Sequence, residues 1–166
     1  MDEPTFDIAA AIKERVPASD QGIALLLSAS QRLGRLLESD LHDTVRARGL
    51  DRSEYEVATI LWFTGSGHPL SPTQLSYAVL QTTSGLTKTL RRLETKGLVE
   101  RLPDPADGRG RLARLTSSGT RMVEALSEEF LEEWQARLEG YSTAQVGKLG
   151  KALWSFVNLV EDSFSR

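Results

Sequence analysis

Residues 69–116, PLSPTQLSYAVLQTTSGLTKTLRRLETKGLVERLPDPADGRGRLARLT, constrain the fold of this chain more than any other stretch. Ser71-Pro72-Thr73-Gln74 has capping-box spacing: the Ser side chain can accept from the N–H three residues on while the Gln side chain reaches back. Pro72 falls at the first helical position, where its missing N–H costs nothing. A short helix to about Val79 follows from this. Thr82, Thr83 and Ser84 start a second helix, whose Leu86, Leu90 and Leu93 recur at three- and four-residue steps and mark a buried face. Gly97 then ends it in the left-handed conformation, with Leu98 folding back. Residues 98–102 and 111–115 alternate as short strands, and the Pro-Asp-Pro-Ala-Asp-Gly-Arg-Gly between them is dense in turn formers.

Long helical patterns flank this stretch. Residues 5–16 predict a short helix stopped at Pro17. Over 21–48, Leu26, Ser30, Leu33, Leu37, Leu41 and Val45 line one helical face, and Gly49 ends the run. Asp51-Arg-Ser-Glu54 is a capping box for a helix that turns Val57, Ala58, Ile60 and Leu61 inward and ends at Gly65. His68-Pro69-Leu70 reads as an extended connector. Thr116 or Ser117 caps a helix to about Glu139, striped with Met122, Val123, Leu126, Phe130, Trp134 and Leu138. Gly140 breaks it. Ser142-Thr-Ala-Gln145 opens a last helix, with Val146, Leu149, Leu153, Phe156, Val157 and Val160 inward. The fold class expected is mainly α: a winged helix-turn-helix head at 50–116, with an α/β hairpin wing, on a helical dimerisation stalk made of 1–48 and 117–166.

Charge distribution agrees with a head that meets a polyanion. The chain totals −3, yet residues 71–114 hold eight Lys/Arg against four Asp/Glu, a local +4 against −7 elsewhere. Such an asymmetry orients a protein on DNA. Hydrophobic content of 40% and charged content of 26% are those of an ordinary globular chain. No apolar run approaches the roughly 18 residues of a membrane helix, and the acidic start MDEPTFD lacks the basic opening of a secretory leader. The chain has no cysteine, which fits a reducing cytoplasm and removes disulfides and thiolate metal sites. Two His, no Cys and no phosphate-cradling glycine loop leave no catalytic constellation and no cofactor or metal site to expect.

In a helix-turn-helix the second helix enters the major groove by its leading turns while the first braces it. With Leu86, Leu90 and Leu93 inward, the positions left to face DNA are Ser84, Thr87, Lys88 and Arg91, led by Thr82 and Thr83. Hydroxyls can meet phosphates or base edges, and an Arg can grip a guanine in bidentate fashion. Ser71, Thr73 and Gln74 on the bracing helix are phosphate clamps. At the hairpin tip, Arg109 between two glycines suits a narrow minor groove; Asp107 is its support, and Arg111 adds charge at the root of the wing. The rival class is a winged helix used, without a ligand, for protein docking or as an architectural DNA-binding module; a docking face would be apolar. This face is polar.

These runs resemble the MarR family of multiple-antibiotic-resistance-type regulators. The matching segments are LDRSEYEV, SPTQLSYAV, TTSGLTKTLRRLETKGLVER, DPADGR and LARLTSSG. The resemblance implies an obligate homodimer with interlocked terminal helices, Ile8, Ile12, Phe156, Leu159 and Val160 being buried across the two-fold. It implies two winged heads astride a palindromic operator of double-stranded DNA, and more often repression than activation. It also implies a small-molecule site lined by His42, Arg46, Tyr55 and Trp62. His42 and Arg46 are four apart and can face one anion, and Tyr55 and Trp62 can stack an aromatic ring. The expected effector is therefore a small aromatic acid or an aromatic acyl-CoA-like compound.

Overall fold

Local capping sets the helix starts. The computed structural model describes residues 7–65 and 68–164, and for 40–43 and 107–109 the backbone alone. Asp7 accepts from Ala10 N and starts α1 (Ile8–Arg15); Thr5 and Phe6, expected in this helix, lie outside the described residues. Helix α2 (Gln21–Ala47) ends at Gly49, whose φ of +74° suits glycine. The Asp51/Glu54 and Ser71/Gln74 capping boxes both form, opening α3 (Arg52–Phe63) and α4 (Pro72–Ala78). Thr82 accepts from Gly85 N at the head of α5 (Thr83–Thr95). Gly97 then turns the chain at φ +68°, and Leu98 N donates back to Leu93 O.

The wing departs from the expected outline. Strands β1 (Val99–Asp104) and β2 (Asp107–Leu115) are longer than residues 98–102 and 111–115, and the turn shrinks to Pro105-Ala106. Asp104 Oδ1 accepts from Ala106 N at 2.9 Å, closing that turn with a side chain. The antiparallel register runs evenly from Val99↔Leu115 to Pro103↔Arg111 and then jumps to Asp104↔Asp107. Residues 108–110 are thus surplus on β2, and the glycines flanking Arg109 belong to the returning strand rather than to the turn. The connector at Leu70 is a strand partner as well: Leu70 N donates to Ala113 O and Ala113 N to Leu70 O.

Two compact units divide the chain, Met1–Val123 and Glu124–Arg166. In the first, Val57, Ala58 and Leu61 of α3, Leu75 of α4, and Leu86, Leu90 and Leu93 of α5 are buried with Val99, Ala113 and Leu115 of the hairpin. Each fully buried Leu contributes on the order of 1.5–3 kcal/mol. This core fixes the bracing helix, the reading helix and the wing against one another. Thr116 Oγ1 accepts from Gly119 N and so caps α6 (Ser117–Arg137).

In the second unit the Ser142/Gln145 pair starts α7 (Thr143–Phe164). None of its described residues is buried. The stripe expected to face inward is half-buried at Val146, Phe156, Val157 and Val160 and exposed at Leu149 and Leu153. Periodicity put these side chains on one face, but one chain does not cover it. Among the described residues no helix is long and apolar enough to cross a membrane.

Candidate nucleic-acid interface

Helix α5 carries the expected face outward. Thr82, Thr83, Ser84, Thr87, Lys88 and Arg91 are all exposed, while Leu86, Leu90 and Leu93 beneath them are buried. Some hydroxyl capacity is already used. Thr82 Oγ1 caps Gly85 N and lies 3.3 Å from Ser84 Oγ, and Thr87 Oγ1 donates to Thr83 O at 2.8 Å. With Gly85 N taken by that cap and Leu86 N by Thr82 O, the N–H groups of Thr83 and Ser84 are the ones at this helix start with no intrahelical acceptor, and they suit a phosphate. Thr89, the next residue along, is buried and donates to Gly85 O, so it belongs to the core.

Ion pairing sorts the cations of the head. Arg92 and Lys96 reach Asp51 and Glu54, Arg101 lies 3.8 Å from Glu94, and Arg114 grips Glu100 at 2.8 Å across the hairpin. Lys88, Arg91 and Arg111 are exposed and have no partner among the described residues. Positive charge that is not internally compensated therefore sits on the outward face of α5 and on the wing. That is a sharper result than the net count of the sequence, and it is what a phosphate backbone would meet.

On α4, Ser71 and Gln74 are committed to each other: Gln74 N donates to Ser71 Oγ at 3.3 Å and Ser71 N to Gln74 Oε1 at 2.9 Å. Thr73 is exposed at the same helix end. The side chains of Asp107 and Arg109 lie outside the described residues; their backbone is on β2. Sequence reasoning read Asp51 and Glu54 only as a cap and missed their second role, holding Arg92 and Lys96. The signal available was the four-residue spacing of Arg92 and Lys96 on α5.

Of the expected effector residues, His42 and Arg46 lie on α2 and Tyr55 and Trp62 on α3. His42 lies outside the described side chains. Arg46 is exposed, Tyr55 is buried, and Trp62 is half-buried with its ring 5.3 Å from that of Phe63. A cleft of about 700 Å³ opens beside α3 and the end of α4, lined by Arg52, Tyr55, Glu56, Thr59, Ile60 and Leu80 among others. Tyr55 borders it; Arg46 and Trp62 do not. Arg52 donates to Glu38 and, at 2.6 Å, to Glu56. Hydrogen bonding to Glu38, then to Glu56, raises its pKa above the ordinary guanidinium value. No group of three or more potential metal ligands gathers among the described residues.

Comparison with known proteins agrees with this geometry. The MarR family model matches residues 48–110. The HTH-type transcriptional repressor IacR of Pseudomonas putida is 31% identical over 94 residues, 57% of this chain and 56% of that one. The HTH-type transcriptional regulator PrsX of Escherichia coli is 30% identical over 115 residues, 69% of each chain. The fold matches that of a Staphylococcus aureus MepR–DNA complex with a TM-score of 0.65 and 19% identity, over 80% of this chain and 94% of that one. These relatives are regulators of transcription rather than enzymes. With these matches, and with a capped short helix, a second helix and a hairpin wing in that order, the chain belongs to the MarR family of helix-turn-helix transcriptional regulators.

Proposed function

We propose that this chain is a cytoplasmic homodimeric repressor that binds a palindromic operator and leaves it when a small aromatic anion binds. The observation that carries the DNA reading is the exposed face of α5, where Lys88 and Arg91 have no ion pair among the described residues and stand beside Ser84 and Thr87. Thr82, Thr83, Ser84 and Thr87 meet phosphates and base edges, and Arg91 a base. Thr73, with Ser71 and Gln74 once their mutual cap admits a phosphate, clamps the backbone. Arg109, supported by Asp107, enters the minor groove, with Arg111 behind it. Residues 50–116 form the head in this reading, and 1–48 with 117–166 the stalk.

Dimerisation is supported by the apolar side chains that one chain leaves uncovered on α7, such as Leu149, Leu153, Trp154 and Leu159. A second copy of the chain buries them across a two-fold. The name of IacR as a repressor supports the sign of regulation. His42, Arg46, Tyr55 and Trp62 hold the effector in this reading, and a ligand that prefers a head spacing unsuited to the operator weakens binding by its differential affinity for the two states. The test is a mobility shift with the chain's own upstream region, read across salt concentration beside sedimentation of the free protein. A complex that weakens steeply with salt and a mass of two chains are expected. No shifted band, or a monomer at micromolar concentration, overturns the proposal.

A further inference from the structure

Glu54 has no place in the DNA contacts, yet it is 1% exposed and carries a charge. Its Oε2 accepts from Asp51 N at 2.7 Å and from Lys96 Nζ at 2.6 Å, and its Oε1 from Arg92 Nε at 3.3 Å. Lys96 Nζ also donates to Gly49 O at 2.8 Å, and an Arg92 terminal nitrogen to Asp51 Oδ2 at 2.7 Å. The corner between α2 and α3 thus holds two cations about one turn apart at the C-terminal end of the reading helix, Arg92 in its last turn and Lys96 at its C-cap. We propose that Glu54 is a positioning residue: through Arg92 and Lys96 it fixes the angle at which α5 presents Ser84, Thr87, Lys88 and Arg91 to the bases. The inference rests on α5 being the reading helix.

Geometry explains why such a clamp matters. Leu86, Leu90 and Leu93 hold α5 by apolar contact, which is non-directional. Ser84 precedes Arg92 by about 12 Å along the axis, so a tilt of roughly 10° about the clamp shifts the leading turn by about 2 Å. Hydrogen bonds to base edges tolerate only a few tenths of an ångström beyond their usual span. Glu54 is buried while Arg92 and Lys96 keep part of their side chains in solvent, and ion pairs with a buried member add little net stability over apolar packing, setting register being their best-attested use.

The test uses the full chain, a duplex that the wild type enriches from a random pool, and a scrambled duplex. Glu54→Gln keeps the side-chain volume and the oxygen that accepts from Asp51 N but removes the charge. Deleting an anion from the head would, by electrostatics alone, tighten binding to both duplexes. Positioning requires the opposite for the selected duplex: at least a tenfold loss, with scrambled binding unchanged or tighter. A folded Glu54→Gln protein with the wild-type ratio of selected to scrambled affinity overturns the inference. Should that variant fail to fold, the same ratio is read in Lys96→Met, where a loss restored by Lys96→Arg supports the clamp and an unchanged ratio, or one that Lys96→Arg leaves equally low, refutes it. If the wild type enriches no duplex at all, it is the DNA reading of α5 that fails.

Discussion

The hydroxyl of Thr116 donates to the carbonyl oxygen of Gly97 at 2.7 Å. Thr116 Oγ1 in turn accepts from Gly119 N at 3.0 Å, and Thr116 N donates to Leu98 O. One residue therefore ties the end of the reading helix to the root of the wing and the start of α6. Thr116→Val keeps the shape and removes both side-chain bonds. A loss of about 1–2 kcal/mol in urea unfolding is expected, and an unchanged midpoint would contradict this role.

Gly119, three residues on, has no room for a side chain. A Cβ there would sit 2.0 Å from Leu98 O and 3.0 Å from Leu115 Cδ2. The first obstacle is backbone held by the hairpin, so it cannot swing aside. Gly119→Ala should cost about 3 kcal/mol despite the better helix propensity of Ala. Thermal unfolding measures it, and a stabilised protein would show that α6 is free to slide.

Leu80 occupies the left-handed region at φ +49° and is 88% exposed. It ends α4 as Gly97 ends α5, since Leu80 N donates to Tyr77 O and Gln81 N to Ser76 O. A leucine in that conformation costs about 1–2 kcal/mol, and an exposed side chain offsets little of it. Leu80→Gly should stabilise the protein by about 0.5–1 kcal/mol after the greater unfolded-state freedom of glycine is set against the relief. A fall in melting temperature would mean that Leu80 has a partner in the assembled protein.

Lys88 and Arg114 are both cations of the head; among the described residues Arg114 pairs with Glu100 and Lys88 has no ion pair. Lys88→Ala should reduce the slope of log affinity against log salt by about 0.9, the release expected for one phosphate contact. Arg114→Ala should leave that slope unchanged and cost at most about 1 kcal/mol of stability, because the pair is partly exposed and screened. Fluorescence anisotropy on a labelled operator across salt concentration measures both slopes.

Elements governed by neighbours in sequence were legible before the structure. Asp51/Glu54 and Ser71/Gln74 mark helix starts by chemistry confined to four residues, and the leucines of α5 mark its inner face by period alone. The misses are long-range. That Leu70 pairs with Ala113, and that Glu54 serves α5 as well as α3, depends on segments some forty residues apart meeting in space. The wing was misread for a different reason. Its glycines signal turns, yet the Asp104 side chain closes the turn earlier and leaves them on the strand. The apolar stripe of α7 was legible as a pattern, but nothing in one chain says what covers it.

The register jump in the wing separates its stem from its tip. From Val99↔Leu115 to Pro103↔Arg111 the two strands match residue for residue, and the three surplus residues fall beyond the last even pair. A change in length or composition at 108–110 therefore leaves every stem pair, and the Leu70 bridge at Ala113, in place. The tip is in effect an exchangeable cassette on a fixed mount. Descendants of this chain can vary what the wing touches without refolding the head that carries it.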